Sequence, residues 1–191
     1  MTTKDYQDQL IHPLSQKMPG LDVVSEWISF RGDRTQYSPR VDIAVGPFNI
    51  GPGPNINHEY DLIIDNNKIV KDFLSQAFEI HNSNMKELAP KLAFMDFEEL
   101  LRINRNSRCF LSIEIENKNS KKHIMGSVVN ACSLGRIGIG VAFTESTLKA
   151  FARILNYLNF LKSVGKNTYR TTNFLLLSKE QFDNLIKIED E

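Results

Sequence analysis

Two glutamates on one predicted strand are the residues of this chain best placed to do chemistry. In the segment CFLSIEIE, Glu114 and Glu116 point to one side of the strand, and an apolar stripe points to the other, formed by Leu111, Ile113 and Ile115. Same-side neighbours lie about 6.6 Å apart, so the two carboxylates repel each other. A divalent cation with oxygen ligands, such as Mg²⁺, would relieve the repulsion. Solvation, or pairing with the lysines that follow, would relieve it as well.

A third carboxylate lies in an equally unfavourable place. Asp42 interrupts the apolar run VDIAV, which follows Pro39 and is predicted to form a short strand. A carboxylate in the middle of a hydrophobic strand needs a partner. If the two strands pair in one sheet, the three acids converge, with Lys118 or Lys122 nearby. Such a group could bind one or two Mg²⁺ ions, activate a water and stabilise charge on a phosphate.

The elements that carry these acids follow an α/β pattern. The glutamate strand is followed by a predicted helix from about Lys121 to Leu134, an apolar strand at 136–143, a helix capped by Thr144 and a last strand at 171–178. Strand–helix–strand crossovers indicate parallel neighbours in one sheet. Residues from about 60 to 105 have helical periodicity. They predict a helical insertion between the two acid-bearing strands.

Length and composition are those of a single globular domain spanning residues 1–191, with 41% hydrophobic and 24% charged residues. Lys plus Arg and Asp plus Glu both number 23. The resulting net charge of zero argues against coating nucleic acid by bulk charge, but it allows a local basic groove. Cys109 and Cys132 lack a metal-ligand spacing and are predicted to be buried thiols. With no signal peptide and no membrane span in the sequence, a cytoplasmic location is expected.

Other site types are not supported. The chain lacks a Walker-type phosphate loop and a G-x-S-x-G elbow, and its GRIGIG segment lies within a predicted strand. His58 and His81 have no second ligand on a shared face, so both are predicted to be surface residues.

The order of the acid-bearing elements resembles the PD-(D/E)XK nuclease superfamily, which includes many restriction endonucleases and repair nucleases. The matching segments are SPRVDIAVGPF (38–48) and FLSIEIENKNSKKHIMG (110–126), within a core of about 21–143. Pro39 lies three residues before Asp42 rather than beside it, which departs from the pattern. The resemblance implies a restriction-endonuclease-like mixed sheet flanked by helices. It also implies Mg²⁺- or Mn²⁺-dependent hydrolysis of phosphodiester bonds, with double-stranded DNA as the expected partner, and it is compatible with a homodimer.

The resemblance also implies roles for individual residues. Asp42 and Glu114 would be metal ligands. Glu116 would be a further ligand or would take the third position, usually Lys, which orients or activates the attacking water. A shifted phase, with Glu116 as the ligand and Lys118 as the lysine, stays open. Lys118 or Lys122 could supply the missing positive charge.

Further candidates flank these segments. Glu26 would be an extra acid if LDVVSEW is helical, although that segment is ambiguous between a helix and a strand. Basic residues near the acids could contact phosphates; they are Arg31, Arg34, Arg40, Lys121 and Arg136. Two alternatives stay open: a nuclease fold kept as a non-catalytic binding or regulatory domain, and an α/β domain whose glutamates are surface acids.

Overall fold

The computed structural model describes residues 2–29, 38–49, 56–92, 95–167 and 170–187. Helices and strands alternate along these ranges. In chain order they are α1 (Thr3–Lys17), β1 (Val23–Ile28), β2 (Arg40–Val45), α2 (Asn57–Asn66), α3 (Lys68–Leu88), α4 (Phe97–Arg102), β3 (Cys109–Glu116), α5 (Lys121–Leu134), β4 (Gly135–Ala142), α6 (Glu145–Ser163), β5 (Phe174–Ser178) and α7 (Lys179–Ile186).

The five strands form one mixed sheet whose spatial order is the same as their order in the sequence. β1, β2 and β3 are antiparallel neighbours, and β3, β4 and β5 are parallel neighbours. α5 and α6 make the two crossovers of the parallel part, as the strand–helix–strand pattern predicted. Three helices, α2 to α4, lie between β2 and β3, where the helical insertion was expected. The predicted α/β class, a mixed sheet flanked by helices, is confirmed.

Each face of the sheet has its own hydrophobic core. On one face, Ile113 and Ile139 share a core with Leu10 of α1 and Leu74 of α3. On the other face, α5 and α6 pack on β4 and β5. Glycine lets them approach closely, because a Cβ on Gly138 would lie 3.0 Å from Ala131 of α5. The acids of β3 lie on this second face, under α5.

Two predictions about individual residues can be compared directly with the fold. Cys109 and Cys132 are both buried, as expected. The prediction that His81 is a surface residue is wrong. His81 is only 9% exposed, its Nδ1 accepts a 2.9 Å hydrogen bond from the backbone N–H of Leu176, and burial lowers its pKa to about 4. Its partner lies 95 residues away along the chain, so no local pattern could reveal the contact.

Candidate functional site

The hairpin of β1 and β2 places Glu26 opposite Asp42. Ser25 pairs with Ile43 at the preceding position, and the register continues unchanged beyond Glu26. Glu26 has a φ of 52°, in the left-handed region that residues other than glycine rarely occupy. Its carboxylate forms a 2.8 Å ion pair with Arg40. The helical alternative for this segment is therefore wrong, and Glu26 comes to Asp42 from a strand.

The pairing of β2 with β3 places Asp42 opposite Glu114. The paired residues end with Ile43 and Ile113, and this register continued by one position sets Asp42 against Glu114. Asp42 Oδ2 accepts a 2.7 Å hydrogen bond from the backbone N–H of Ile115, so its carboxylate lies against β3. Glu26, Asp42 and Glu114 thus occupy neighbouring positions across three strands. Together with Glu116 they are called the acid row below.

Glu114 is the most buried member of the acid row, with 7% of its surface exposed. Its Oε1 atom has no hydrogen-bond partner among the residues that the structure describes. Burial raises the pKa of Glu114 well above its ordinary value, and the charges of Asp42, Glu116 and Glu26 raise it further. An ionised Glu114 is therefore unfavourable unless a cation accompanies it.

The pKa of Asp42 is also raised. Burial raises its pKa to about 6, although the hydrogen bond from Ile115 partly opposes the shift. The charges of Glu26 and Glu116 add to the increase. A pKa of about 6 means that Asp42 changes its protonation state near neutral pH, where a general base or a metal ligand works.

Glu116 lies at the end of β3 and is partly exposed. Its Oε1 atom accepts a 2.8 Å hydrogen bond from Ser127 Oγ on α5. Ser127 also lies near enough to Glu114 to oppose, slightly, the rise in its pKa. This serine was not among the residues predicted from the sequence. The available signal was its position among the small residues of α5, on the turns that pack against the acid-bearing strand.

The predicted lysines lie apart from the acid row. Lys118 lies in the bend after β3, and Lys121 and Lys122 lie on the first turn of α5. All three are exposed, and none forms an ion pair with a residue in the described ranges. Because β3 ends at Glu116, Lys118 falls outside the sheet. The geometry therefore favours the phase in which Glu114 and Glu116, rather than Glu116 and Lys118, face the site.

The predicted phosphate-contacting residues lie in different environments. Arg40 is exposed on β2 and pairs with Glu26, beside the acid row. Arg136 cannot contact a phosphate at the surface, because its side chain is fully buried. That prediction is wrong, and the reason is an internal partner, Asp61 on α2, 2.5 Å away. Arg31 and Arg34 lie outside the described residues.

Within the described ranges, no group of three or more His, Cys, Asp or Glu side chains is arranged to hold a metal ion. Glu26 pairs with the side chain of Arg40, and Glu116 accepts from that of Ser127. Asp42 accepts from the backbone N–H of Ile115, and Oε1 of Glu114 has no partner in the described residues. The carboxylates of Asp42 and Glu114 are hard oxygen donors. Mg²⁺ commonly uses only one or two protein carboxylates, and water and substrate phosphates complete its coordination.

No family model, curated protein or solved structure matches this chain. None of the helices in the described part of the chain is both long enough and apolar enough to cross a membrane. The function is therefore argued from the geometry and chemistry of the acid row.

Proposed function

We propose that the protein is a divalent-metal-dependent nuclease that hydrolyses phosphodiester bonds, with DNA as its substrate. The observation that carries the proposal is the position of Asp42 beside Glu114 on the neighbouring strand, two carboxylates 72 residues apart in the sequence. Both are buried enough to have raised pKa values, and the basic side chain that acts on Asp42, Arg40, is paired with Glu26. A protein that used these acids only for stability would gain by pairing them with a cation or by replacing them with apolar residues.

The order of elements supports the same proposal. The PD-(D/E)XK pattern expects an Asp-bearing strand, a later Glu-bearing strand, a helix and a further strand. The chain supplies β2, β3, α5 and β4 in that order, and the three strands are neighbours in one sheet. We therefore assign it a restriction-endonuclease-like core, in which α2 to α4 are inserted between the two acid-bearing strands.

The donor set suits Mg²⁺ or Mn²⁺. Asp42 and Glu114 would hold the ion, because both carboxylates lie in one row and the buried Oε1 of Glu114 has no partner in the described structure. When bound, the ion would neutralise the negative charge that develops on the phosphate during hydrolysis. It would also favour the ionised forms of both acids, reversing the effect of burial on their pKa values.

Glu116 is the residue best placed to position the attacking water. It lies at the exposed end of β3, and the hydrogen bond from Ser127 fixes one of its oxygens and leaves the other available. A carboxylate in the third position can orient a water and accept its proton. Glu26, held by Arg40, adds negative charge beside Asp42 and thereby increases the preference of the row for a cation.

The direct test is nicking of supercoiled plasmid DNA with about 5–10 mM Mg²⁺ or Mn²⁺, an excess that would fill a weak site. We expect the wild-type protein to nick the plasmid and Asp42→Asn to lose about 100-fold or more of the rate, because a neutral amide binds the ion poorly. Asp72→Asn is the matched control, because Asp72 is an exposed acid on α3 that pairs with Lys68. Absence of nicking by the wild type, or equal rates for wild type and Asp42→Asn, would reject the proposal.

A second candidate is a nucleic-acid-binding or regulatory domain that keeps the fold without the chemistry. It is favoured by the glutamate in place of the usual third-position lysine and by the lack of a preformed three-ligand group in the described residues. This candidate predicts DNA binding in EDTA, no cleavage with either ion, and no change in melting temperature on adding metal.

A further inference from the structure

The charges of the chain are strongly segregated, although its net charge is zero. Residues 117–179 contain ten of the 23 Lys and Arg residues but only one of the 23 Asp and Glu residues, Glu145. This segment begins directly after Glu116 and includes α5 and α6, the two helices that cover the acid-row face of the sheet. Arg136 is buried against Asp61 and Lys179 begins α7, so eight of the ten basic residues lie on α5, on α6 or in the loops beside them.

A basic groove lies between α5 and α6, with a volume of about 510 Å³. Three cationic side chains line it: Lys121 from the first turn of α5, and Lys149 and Arg153 from α6. Lys149 pairs with Glu145, whereas Arg153 is exposed and forms no ion pair with a described residue. The groove therefore carries an excess of positive charge where a polyanion could lie.

Exposed aromatic side chains continue the same face of α6. Tyr157 lines the groove one turn beyond Arg153 and is 46% exposed, and Phe160 follows at 56% exposed. From Lys149 to Phe160 the helix rises about 16 Å, the length of about four or five stacked nucleotides. Cations followed by solvent-facing aromatic rings are the combination with which proteins bind single strands, since the rings stack on unpaired bases.

The groove is fixed to the end of the acid-bearing strand. Asn119, three residues after Glu116, donates a 2.7 Å hydrogen bond to Ser146 Oγ and accepts a 2.8 Å bond from Thr147 Oγ1. The loop that leaves β3 is thereby attached to the first turn of α6. A strand lying in the groove would pass the first turn of α5 before it reached the acid row.

We infer that the α5–α6 groove, lined by Lys121, Lys149, Arg153 and Tyr157, binds a single-stranded segment of nucleic acid. The inference rests on the proposed nuclease function and sharpens it, because it assigns the enzyme a substrate with an unpaired segment next to the bond to be cut. In a duplex the base faces are stacked on one another, so two exposed aromatic rings would have no role.

The test measures fluorescence anisotropy of a fluorescein-labelled 12-nucleotide single strand, and of the same sequence as a duplex, in EDTA so that no cleavage occurs. We expect the wild type to bind the single strand more tightly than the duplex. Arg153→Glu should weaken single-strand binding at least tenfold, and Tyr157→Ala about five- to fiftyfold. Arg153→Ala should lower the slope of log affinity against log salt by about 0.7, the value for one lost phosphate contact.

The matched control is Lys68→Ala, which removes an exposed lysine that starts α3, outside the positive segment. It should change the affinity less than twofold, and all variants should keep the melting temperature of the wild type, because each altered side chain is exposed. Equal affinities for wild type and groove variants would overturn the inference. So would a Tyr157→Ala protein that changes oligomeric state while binding the oligonucleotide unchanged, because the face would then contact a second copy.

The outcome separates this inference from the nuclease proposal. If the wild type nicks plasmid DNA but the groove variants bind the single strand normally, only the groove assignment fails. If Arg153→Glu abolishes single-strand binding but no metal supports cleavage, the groove stands and the nuclease proposal fails. Asp42→Asn should bind the single strand at least as tightly as the wild type in EDTA, since it removes a negative charge.

Discussion

Among the described regions that bury ionisable side chains, the Arg136 cluster and the acid row treat them in opposite ways. The Arg136 cluster, formed by Arg136 with its partners on α2 and around α4, satisfies the buried charge completely. The guanidinium donates to the carbonyls of Leu101 and Asn104 at 2.7 and 2.8 Å and to Asp61 at 2.5 Å. Glu114 of the acid row is almost as buried, yet its Oε1 atom lacks a partner in the described structure and its nearest charges are other acids.

The difference indicates what each region does. The Arg136 cluster joins the inserted helices to β4, and burial lowers the pKa of Arg136 only to about 10, so it remains charged at neutral pH. Its hydrogen bonds therefore stabilise the fold. The acid row keeps a repulsion that the chain does not neutralise by itself. An uncompensated cost of this kind is typical of sites that bind a ligand, where stability is exchanged for function.

The largest expected effect on stability is at the Arg136 cluster. Arg136→Met removes a fully buried cation, leaves the carbonyls of Leu101 and Asn104 without this donor, and leaves Asp61 paired, within the described structure, only with Arg102 and Arg105 at the surface. We expect a loss of about 3–5 kcal/mol in the free energy of unfolding, measured by urea denaturation. Arg105→Ala is the control, because Arg105 also contacts Asp61 but is 57% exposed, and it should cost less than about 1 kcal/mol. Similar losses for both variants would show that burial does not distinguish the two arginines.

Removing a carboxylate from the acid row should, in contrast, stabilise the protein. A carboxyl whose pKa is raised by folding contributes stability below its unfolded pKa and loses that contribution as pH rises through the folded pKa. The raised pKa of Asp42 therefore predicts that the wild type loses stability as pH rises from about 4 through about 6, and the raised pKa of Glu114 predicts a further loss at higher pH. Glu114→Gln should raise the melting temperature at pH 8 by a few degrees, and by much less at pH 4.5.

Glu79→Gln is the control for that measurement, because Glu79 is an exposed acid on α3. It should give the same small change at both pH values. A Glu114→Gln protein that is less stable than the wild type at pH 8 would mean that the carboxylate has a stabilising partner, and the contrast between the two regions would disappear.

A bound metal ion should reduce the difference between the two regions, because it would neutralise the acid row. At tenfold above its dissociation constant, an ion that binds only the folded chain adds about 1.4 kcal/mol of stability. We expect Mg²⁺ or Mn²⁺ to raise the melting temperature of the wild type at pH 7.5 by about 2–5 °C. The double variant Asp42→Asn, Glu114→Gln should show no such rise in differential scanning fluorimetry. An equal rise in both proteins would place the bound ion elsewhere.

The smallest expected effect on stability is at Ser127. Ser127→Ala removes one hydrogen bond to Glu116, which costs about 0.5–1.5 kcal/mol. The rate of plasmid nicking should fall about tenfold, because the third-position carboxylate is no longer fixed. Ser133→Ala, at an exposed position of the same helix, should leave both the rate and the melting temperature unchanged. Loss of stability without loss of rate would make Ser127 a packing residue only.

The elements of this fold could be predicted from the chain because they depend on local patterns. Alternation of apolar residues predicted β3 with its two glutamates on one side, and the 3.6-residue period predicted α5 within the bounds that the structure has. The sequence predicted that Asp42 and Glu114 meet only if their strands pair in one sheet. Glu26 was a candidate only if its segment formed a helix, but it lies on β1. A short segment of this kind does not distinguish a helix from a strand.

What the tertiary structure decided is which distant residues meet. The register of β1, β2 and β3 set the acid row, the packing of α5 brought Ser127 to Glu116, and the position of α2 turned Arg136 from a presumed surface residue into a buried one. The basic groove likewise exists only because α5 and α6 lie side by side. Periodicity is a property of neighbouring residues, so the sequence by itself determines the elements. Register and burial depend on contacts between segments tens of residues apart, and only the folded chain specifies them.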